Sequence, residues 1–590
     1  MSILGNPVLR IEDPRFLTSG GKYAADIDLP NAAHAVFVRS TAASGPIESI
    51  ELDEARNAPG VLAVLGAADL DLEPYANEKS DVLVRHALAK DHVHFAGEPV
   101  AVVIAETYAQ ALDAAERAWV EVNARDAVPG IREALTDSTL VHPALGTNIV
   151  DDKRVEDLDF SDCDIVIDAE IVNSRINGAP IEPRVAAASW DGDQLTCWTS
   201  SQGAHPAQAT ISKVLNVAAE KVHVITADVG GSFGSKARPG PEECVLAAAA
   251  KVVGRPVLWA ETRTENFLAM GHARSQLNRV RLGGSADGTL THYQLDITAE
   301  AGAYPQASAF LPHFTQLMAT GVYAFENAAA GWVSVATNTP PVAAFRGAGR
   351  PEATASLERA IDLFADRAGI DPADLRRKNF VASNAFPFTS PMGQVYDSGD
   401  YAAALDTALH NAGYDELRNE QRQRIDQGAT NLLGIGVASY VEITAPGAMK
   451  SDDEFGSVEV QTNGHIVART GATAFGQGHE TTWAMITADR MGVDVGDVTV
   501  VWGDTDEVPS SKITGGSRSV QLAGSAIADA SDRLINASIE NAADLLEAAP
   551  ADIVFDRQIG AFHVAGTPTR TVGWAQLGAA SEETSCLRSK

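Results

Sequence analysis

Four times between residues 228 and 519 the chain passes through a glycine-rich segment: 228–236 (DVGGSFGSK), 344–352 (AFRGAGRPE), 475–482 (FGQGHETT) and 513–519 (ITGGSRS). The first follows an alternating run (Val222, Val224, Thr226) and precedes a stretch with helical character from Val245 to Val253. The second stands directly before a helix signal, and the third opens a helical pattern through Trp483, Ile486 and Met491. Strand, glycine loop and helix in that order belong to mixed α/β folds. Glycine has no Cβ, so backbone N–H groups can approach an anion or an oxo group, and a helix start adds partial positive charge. The plain alternative for each segment is a tight turn.

The chemistry of the four differs. The first is not a P-loop, since Lys236 follows Ser235 and precedes Ala237, where a phosphate loop needs Gly-Lys followed by Ser or Thr. In the second, Arg346 and Arg350 can hold an anionic group or pair with interdomain carboxylates. In the third, the Gln477 amide both donates and accepts, and His479 is a ligand, a base or a hydrogen-bonded structural histidine. The fourth combines hydroxyls with Arg518 and suits a pyrophosphate. Asp504 and Asp506 just before it read as a solvated turn rather than a metal site.

At 590 residues the chain exceeds what one core can organise, so two to four domains are expected. A formal charge of −33 argues against a nucleic-acid partner. Cys163, Cys197, Cys244 and Cys586 form no C-x-x-C pair, so neither a zinc site nor an iron–sulfur cluster is encoded, and reduced, buried thiols are expected. Charges at Arg10, Glu12, Asp13 and Arg15 break any apolar leader, and no run is long enough to span a membrane; a cytoplasmic protein is expected.

Residues 35–39 and 100–104 read as strands, the second followed by a helical pattern through Tyr108, Leu112, Ala115 and Trp119. Residues 151–164 read as an acidic connecting loop. A helix starts at Pro351, presents Leu357, Ala360, Ile361, Phe364, Ala365 and Ala368, and stops at Gly369; Asp371 and Pro372 start another. Residues 387–400 read as a boundary, and strand-like runs at 457–461 and 498–502 belong to the last region.

The order of the four segments, together with RIEDPRFL (10–17), GKYAADI (21–27), FAGEPVA (95–101), PIEPR (180–184), SSQG (200–203), LRRKNF (375–380) and YDSGDY (396–401), resembles the molybdenum-binding subunit of the xanthine dehydrogenase/aldehyde oxidase family over nearly the whole chain. The resemblance implies an α/β hammerhead-like domain at 1–130. Two molybdopterin-binding α/β domains then follow at 140–385 and 395–590, the second incomplete. It implies molybdopterin cytosine dinucleotide, with molybdenum held by the pterin dithiolene and no direct protein ligand. Phe233 and Gly234 would lie beside the metal's oxo ligand, with Gly231 also binding the cofactor, and Arg346, Gly347 and Ala348 on the loop facing the metal. Gln202 and Gln477 would contact the ligand sphere and pterin, while Gly476, Gly478, His479, Thr481, Thr514, Ser517 and Arg518 would hold pterin and pyrophosphate. Arg346, Gln202 and Phe233 are the implied catalytic set.

The implied reaction is hydroxylation of an aldehyde or an aromatic N-heterocycle with water-derived oxygen. Electrons would leave through a [2Fe–2S] small subunit and an FAD medium subunit in a heterotrimer, since this chain carries neither a cluster motif nor a dinucleotide fingerprint. The loop at Arg346 lacks cysteine, which argues against carbon monoxide as substrate. The family's general base is a glutamate in a C-terminal Gly-x-Gly-Glu segment, which does not occur here. The expectation is a truncated, split or shortened chain, inactive by itself or, alternatively, a remnant that binds cofactor or partners without turnover.

Overall fold

The structure, a computed structural model, describes residues 2–75, 80–305, 307–445, 453–580 and 587–589. Strands Ala33–Arg39 and Pro99–Ala105 form where the apolar runs predict and pair antiparallel inside a seven-stranded sheet. All seven residues of Pro99–Ala105 are buried because both faces are covered: Val102 and Ile104 enter one core, Ala101, Val103 and Ala105 another. This sheet crosses the expected domain division in space. Ala33 pairs in parallel with Val257, joining the N-terminal strands to Val257–Ala260, Val185–Asp191, Gln194–Thr199 and Val222–Ile225.

Two readings change. The helix after Pro99–Ala105 is Tyr108–Ala115, and its buried face is Ala111 and Ala114; Tyr108 and Leu112 are exposed, and Trp119 starts a strand. Alanines let the helix lie close on the sheet, so small side chains rather than large ones mark its inner face. The acidic segment also begins as structure: Ile149–Lys153 is the edge strand of a second, five-stranded sheet, where Asp151 accepts a hydrogen bond from the Trp332 indole (2.9 Å). An edge strand exposes one side to water and so needs no sustained apolar face.

Helix Arg350–Ala368 packs on that second sheet through Leu357, Ala360, Ile361, Phe364 and Ala365, and Gly369 ends it at φ 68°. Helix Pro372–Asn379 follows, capped by Asp371. A short hairpin (Phe388–Thr389 with Val395–Tyr396) and helices Tyr401–Ala412 and Tyr414–Asp426 lead to the last unit. There a four-stranded sheet (Val498–Val501, Ile466–Thr470, Gly456–Val460, Leu587–Ser589) carries helices His479–Met491 and Ser525–Leu546 over a core with Trp483, Met491, Ile527 and Leu534. Ile3 and Ile11 pack against this core, so the N-terminal segment joins the last unit of the chain. Among the described residues no helix is long and apolar enough to cross a membrane. Cys197 and Cys244 are buried free thiols and Cys163 is half-buried; Cys586 lies outside the described residues.

Candidate functional site

The four glycine segments converge on one cavity of about 1410 Å³. Its wall includes Gln202, Gly231, Phe233, Gly234, Arg346, Gly347, Ala348, Gly476, Gln477, Gly478, Thr514 and Ser517. Hydrogen bonds link the segments in series. The Arg346 amide donates to Phe233 O (2.8 Å), the Thr514 amide to Gln202 O (2.8 Å), and the Thr514 hydroxyl to Thr473 O (3.0 Å).

Gln202 is the central tie. Its Nε2 donates to Thr514 O (2.6 Å), while its Oε1 accepts from the Gly234 amide (2.9 Å) and the Ser232 hydroxyl. A backbone carbonyl can only accept and a backbone N–H can only donate, so these partners settle which end of the amide is oxygen. Thr473 Oγ1 donates to Gln202 O (2.7 Å), joining the third segment as well.

Four non-glycine residues in the wall have positive φ: Ala179 (39°), Phe233 (58°), Ala348 (41°) and Ser517 (55°). Such backbone costs energy for side chains with a Cβ and persists where the surroundings hold it, often at functional sites. At Gly234 (φ 110°) a Cβ would sit 2.4 Å from Ala344 O, so only glycine lets the first and second segments touch. Helices Ala204–Leu215, Arg350–Ala368 and His479–Met491 all start at residues next to wall positions. Helix starts of this kind carry N–H groups left over from the helical pattern, which suit an anion.

The arginines divide. Arg350 is buried, donates to Ala348 O (3.1 Å) and Glu442 Oε1 (3.2 Å), and lies 5.3 Å from the Phe314 ring centre. Burial draws its guanidinium below the ordinary value, against the opposing pull of Glu442. Arg346 is exposed, and its guanidinium has no ion pair among the described residues. Lys236 is buried and donates to Glu182 (2.9 Å), which also accepts from the Gly230 amide (2.8 Å); the lysine therefore braces the loop from behind.

His479, Thr481 and Arg518 lie behind the wall. His479 Nδ1 is 3.1 Å from Thr473 O and its ring stacks near Trp483; desolvation lowers its pKa, with Thr473 O and Glu12 opposing. Thr481 Oγ1 donates to Glu12 and accepts from the Ile11 amide (2.9 Å). Arg518 donates to Asp453 O (3.1 Å), and its Nε is buried without a hydrogen-bond partner among the described residues.

Sequence reasoning missed the wall formed by residues 10–23. Arg15 pairs with Asp228 and, at 3.7 Å, with Glu480, while Arg10 pairs with Glu12 and Asp13. The signal was present in the RIEDPRFL stretch, but nothing local says that it crosses to a helix nearly 470 residues later. Two other polar groupings stand apart. Asp504 Oδ1 accepts from the Asp506 amide (2.9 Å), closing a turn, and lies 2.7 Å from His223 Nε2 on strand Val222–Ile225. Asp162, Cys163 and His292 approach one another, but the His292 ring nitrogens already meet Thr291 (2.9 Å) and Asn327 (3.0 Å).

Comparison with known proteins places this geometry. Residues 141–380 and 407–587 each match a molybdopterin cofactor-binding domain, and residues 18–126 match the a/b hammerhead domain of aldehyde oxidase and xanthine dehydrogenase. The chain is 31% identical to the nicotine 6-hydroxylase large subunit of Paenarthrobacter nicotinovorans, covering 94% of this chain and 70% of that one. It is 32% identical to the carbon monoxide dehydrogenase large chain of Afipia carboxidovorans, covering 97% and 75%. The crystal structure of quinoline 2-oxidoreductase from Pseudomonas putida 86 superposes with a TM-score of 0.91 at 30% identity, covering 99% of this chain and 78% of that one. The chain belongs to the molybdopterin-binding large subunits of the xanthine dehydrogenase, aldehyde oxidase and carbon monoxide dehydrogenase family.

Proposed function

We propose that the cavity holds molybdopterin in its cytosine dinucleotide form, and that the chain works with a [2Fe–2S] and an FAD subunit to hydroxylate an aldehyde or an aromatic N-heterocycle. The observation that carries this reading is the convergence of the four glycine segments, linked in series through Gln202 and Thr473, on one large cavity. The residues fit such a group: the volume exceeds that of ordinary small-ligand pockets, three helix starts adjoin the wall, and Arg346 is without a counter-ion among the described residues. When bound, the cofactor supplies two-electron oxidation and transfer of a water-derived oxygen.

The chain's own residues do the holding. Gln202 fixes the first and fourth segments relative to each other, and its remaining N–H serves as a donor at the cavity wall. Phe233 and Phe345, 6.2 Å apart and edge to face, form an apolar surface that excludes water. Arg346 balances negative charge. Gly231, Gly234, Gly347, Ala348, Gly476, Gln477, Gly478, Thr514 and Ser517 line the group, while His479, Thr481 and Arg518 brace their segments from behind. The partner subunits follow from relatives designated large subunit or large chain, and from the absence of any cysteine-cluster motif in this sequence.

The test is metal and nucleotide analysis of the chain co-produced with its neighbouring subunits. The expected result is near-stoichiometric molybdenum with cytidine nucleotide released on hydrolysis. Molybdenum-free protein from cells that load a control hydroxylase would overturn the reading.

A further inference from the structure

Five carboxylates line the cavity: Glu12, Asp13, Asp228, Glu480 and Glu442. The first four are gathered at one side with Arg10 and Arg15. Glu442 stands apart, linked through Arg350 to Ala348 on the Arg346 loop. It belongs to a segment without regular secondary structure that is nevertheless pinned at both ends: the Ser439 amide donates to Glu358 (3.0 Å), and the Ala445 amide to Gly516 O (3.0 Å). The arginine of the pair is nearly sealed, with 8% of its side chain exposed against 32% for Glu442, so the pair shows the cavity mainly its carboxylate. Glu442 Oε1 takes the Arg350 hydrogen bond, and Oε2 has no partner among the described residues.

The surroundings are aromatic. Phe314 lies under Arg350 and packs against Gly349, where a Cβ would come within 2.8 Å of it. Phe345 is backed by Arg274, 5.1 Å from the ring centre and bonded to Arg346 O and Glu352. Leu311 and Phe233 complete this part of the wall. Flat apolar walls with one unsatisfied acceptor suit a flat molecule with one donor.

We propose that Glu442, steadied by Arg350, is a substrate-recognition residue that accepts a hydrogen bond from an N–H group, or faces the positive charge, of a flat heteroaromatic substrate held among Phe233, Phe314 and Phe345. The inference rests on the proposed function for what a substrate is, and it narrows the substrate class to cationic or N–H-bearing heteroaromatics. A charge-assisted hydrogen bond in a partly desolvated site discriminates strongly against molecules lacking the donor.

The test uses the complex with its partner subunits and three probes at neutral pH: quinoline, which is uncharged there, the fixed cation N-methylquinolinium, and a quinoline carboxylate. Calorimetric titration gives each dissociation constant without turnover. The cation is expected to bind about tenfold tighter than quinoline. Glu442→Gln brings that ratio within about twofold, Glu442→Asp keeps part of it, and for turned-over probes the effect falls on KM rather than kcat. A ratio unchanged in Glu442→Gln, tightest binding by the carboxylate, or a loss confined to kcat overturns the assignment. Molybdenum content of the same preparations separates the two questions. Molybdenum-free wild-type protein sinks the function, whereas the titration still decides Glu442.

Discussion

The two flanks of the cavity are built from the same device and use it in opposite ways. On the flank formed by residues 228–236 and 344–350, side chains reach the cavity: Phe233 and Arg346 project into it, and the loops touch each other through Gly234 and Ala344. On the flank formed by 475–482 and 513–519, Phe475, Gln477, Glu480 and Ser517 join the glycines in the wall, while His479, Thr481 and Arg518 are buried behind it. The first flank offers an unpaired guanidinium among the described residues, and the second, whose arginine is buried, serves mainly as a cradle. A shared glycine pattern therefore does not imply a shared role; what decides is whether the side chains between the glycines find partners in the protein.

The sharpest way to break this comparison is one substitution made on each flank. Gly234→Ala places a Cβ 2.4 Å from Ala344 O at φ 110° and is expected to cost about 4 kcal/mol, seen as a large drop in thermal midpoint and loss of bound molybdenum. Gly476→Ala has a similar φ of 104° but nothing within 4 Å, so only backbone strain remains, about 1 kcal/mol. Equal losses at the two sites would show that φ alone, and not the touching of loops, sets the tolerance.

Gln202→Leu tests whether the flanks are coupled. It strands the Gly234 amide and the Thr514 carbonyl, both satisfied by the glutamine, and about 3 kcal/mol of destabilisation is expected in denaturant titrations. A loss under about 1 kcal/mol would mean that the flanks stand independently.

Acid should loosen the cradle. Burial holds His479 below its ordinary pKa, so the unfolded chain binds the proton more readily than the folded one. The neutral-histidine contribution is complete above the unfolded value near 6.5 and is lost as pH falls below it, by at most about 1.4 kcal/mol per pH unit. His479→Gln should flatten that part of the stability–pH curve. An unchanged slope would place the acid sensitivity elsewhere, with the buried His94, held at about 3, the next group to examine.

Much of this organisation was legible because it is local. The helix Arg350–Ala368 shows its buried stripe and its glycine stop in the sequence, and each glycine segment marks a real loop at the cavity. What was not legible depends on partners far along the chain. Nothing near Tyr108 says that alanines face the sheet there, nothing near Ala33 announces Val257, and nothing near Arg15 points to both Asp228 and Glu480. The fate of the two arginines in 344–352 was open for the same reason. Arg350 found Glu442 across 92 residues, while Arg346 found no carboxylate among the described residues.

That contrast frames the smallest expected effect on the fold. Arg346→Ala removes a guanidinium that bonds no described carboxylate, so stability should change by no more than about 0.5 kcal/mol. Its effect should appear where the first flank is said to act. Losing one charge-assisted contact to an anionic cofactor weakens retention by about 10- to 100-fold, read as molybdenum remaining after dialysis. Arg350→Ala should behave the other way, because it leaves Glu442 unpaired and Phe314 uncovered, and so should lower stability first. If Arg346→Ala destabilises the fold as much as Arg350→Ala while cofactor retention is unaffected, the exposed guanidinium is a structural group. The two flanks would then differ in shape alone.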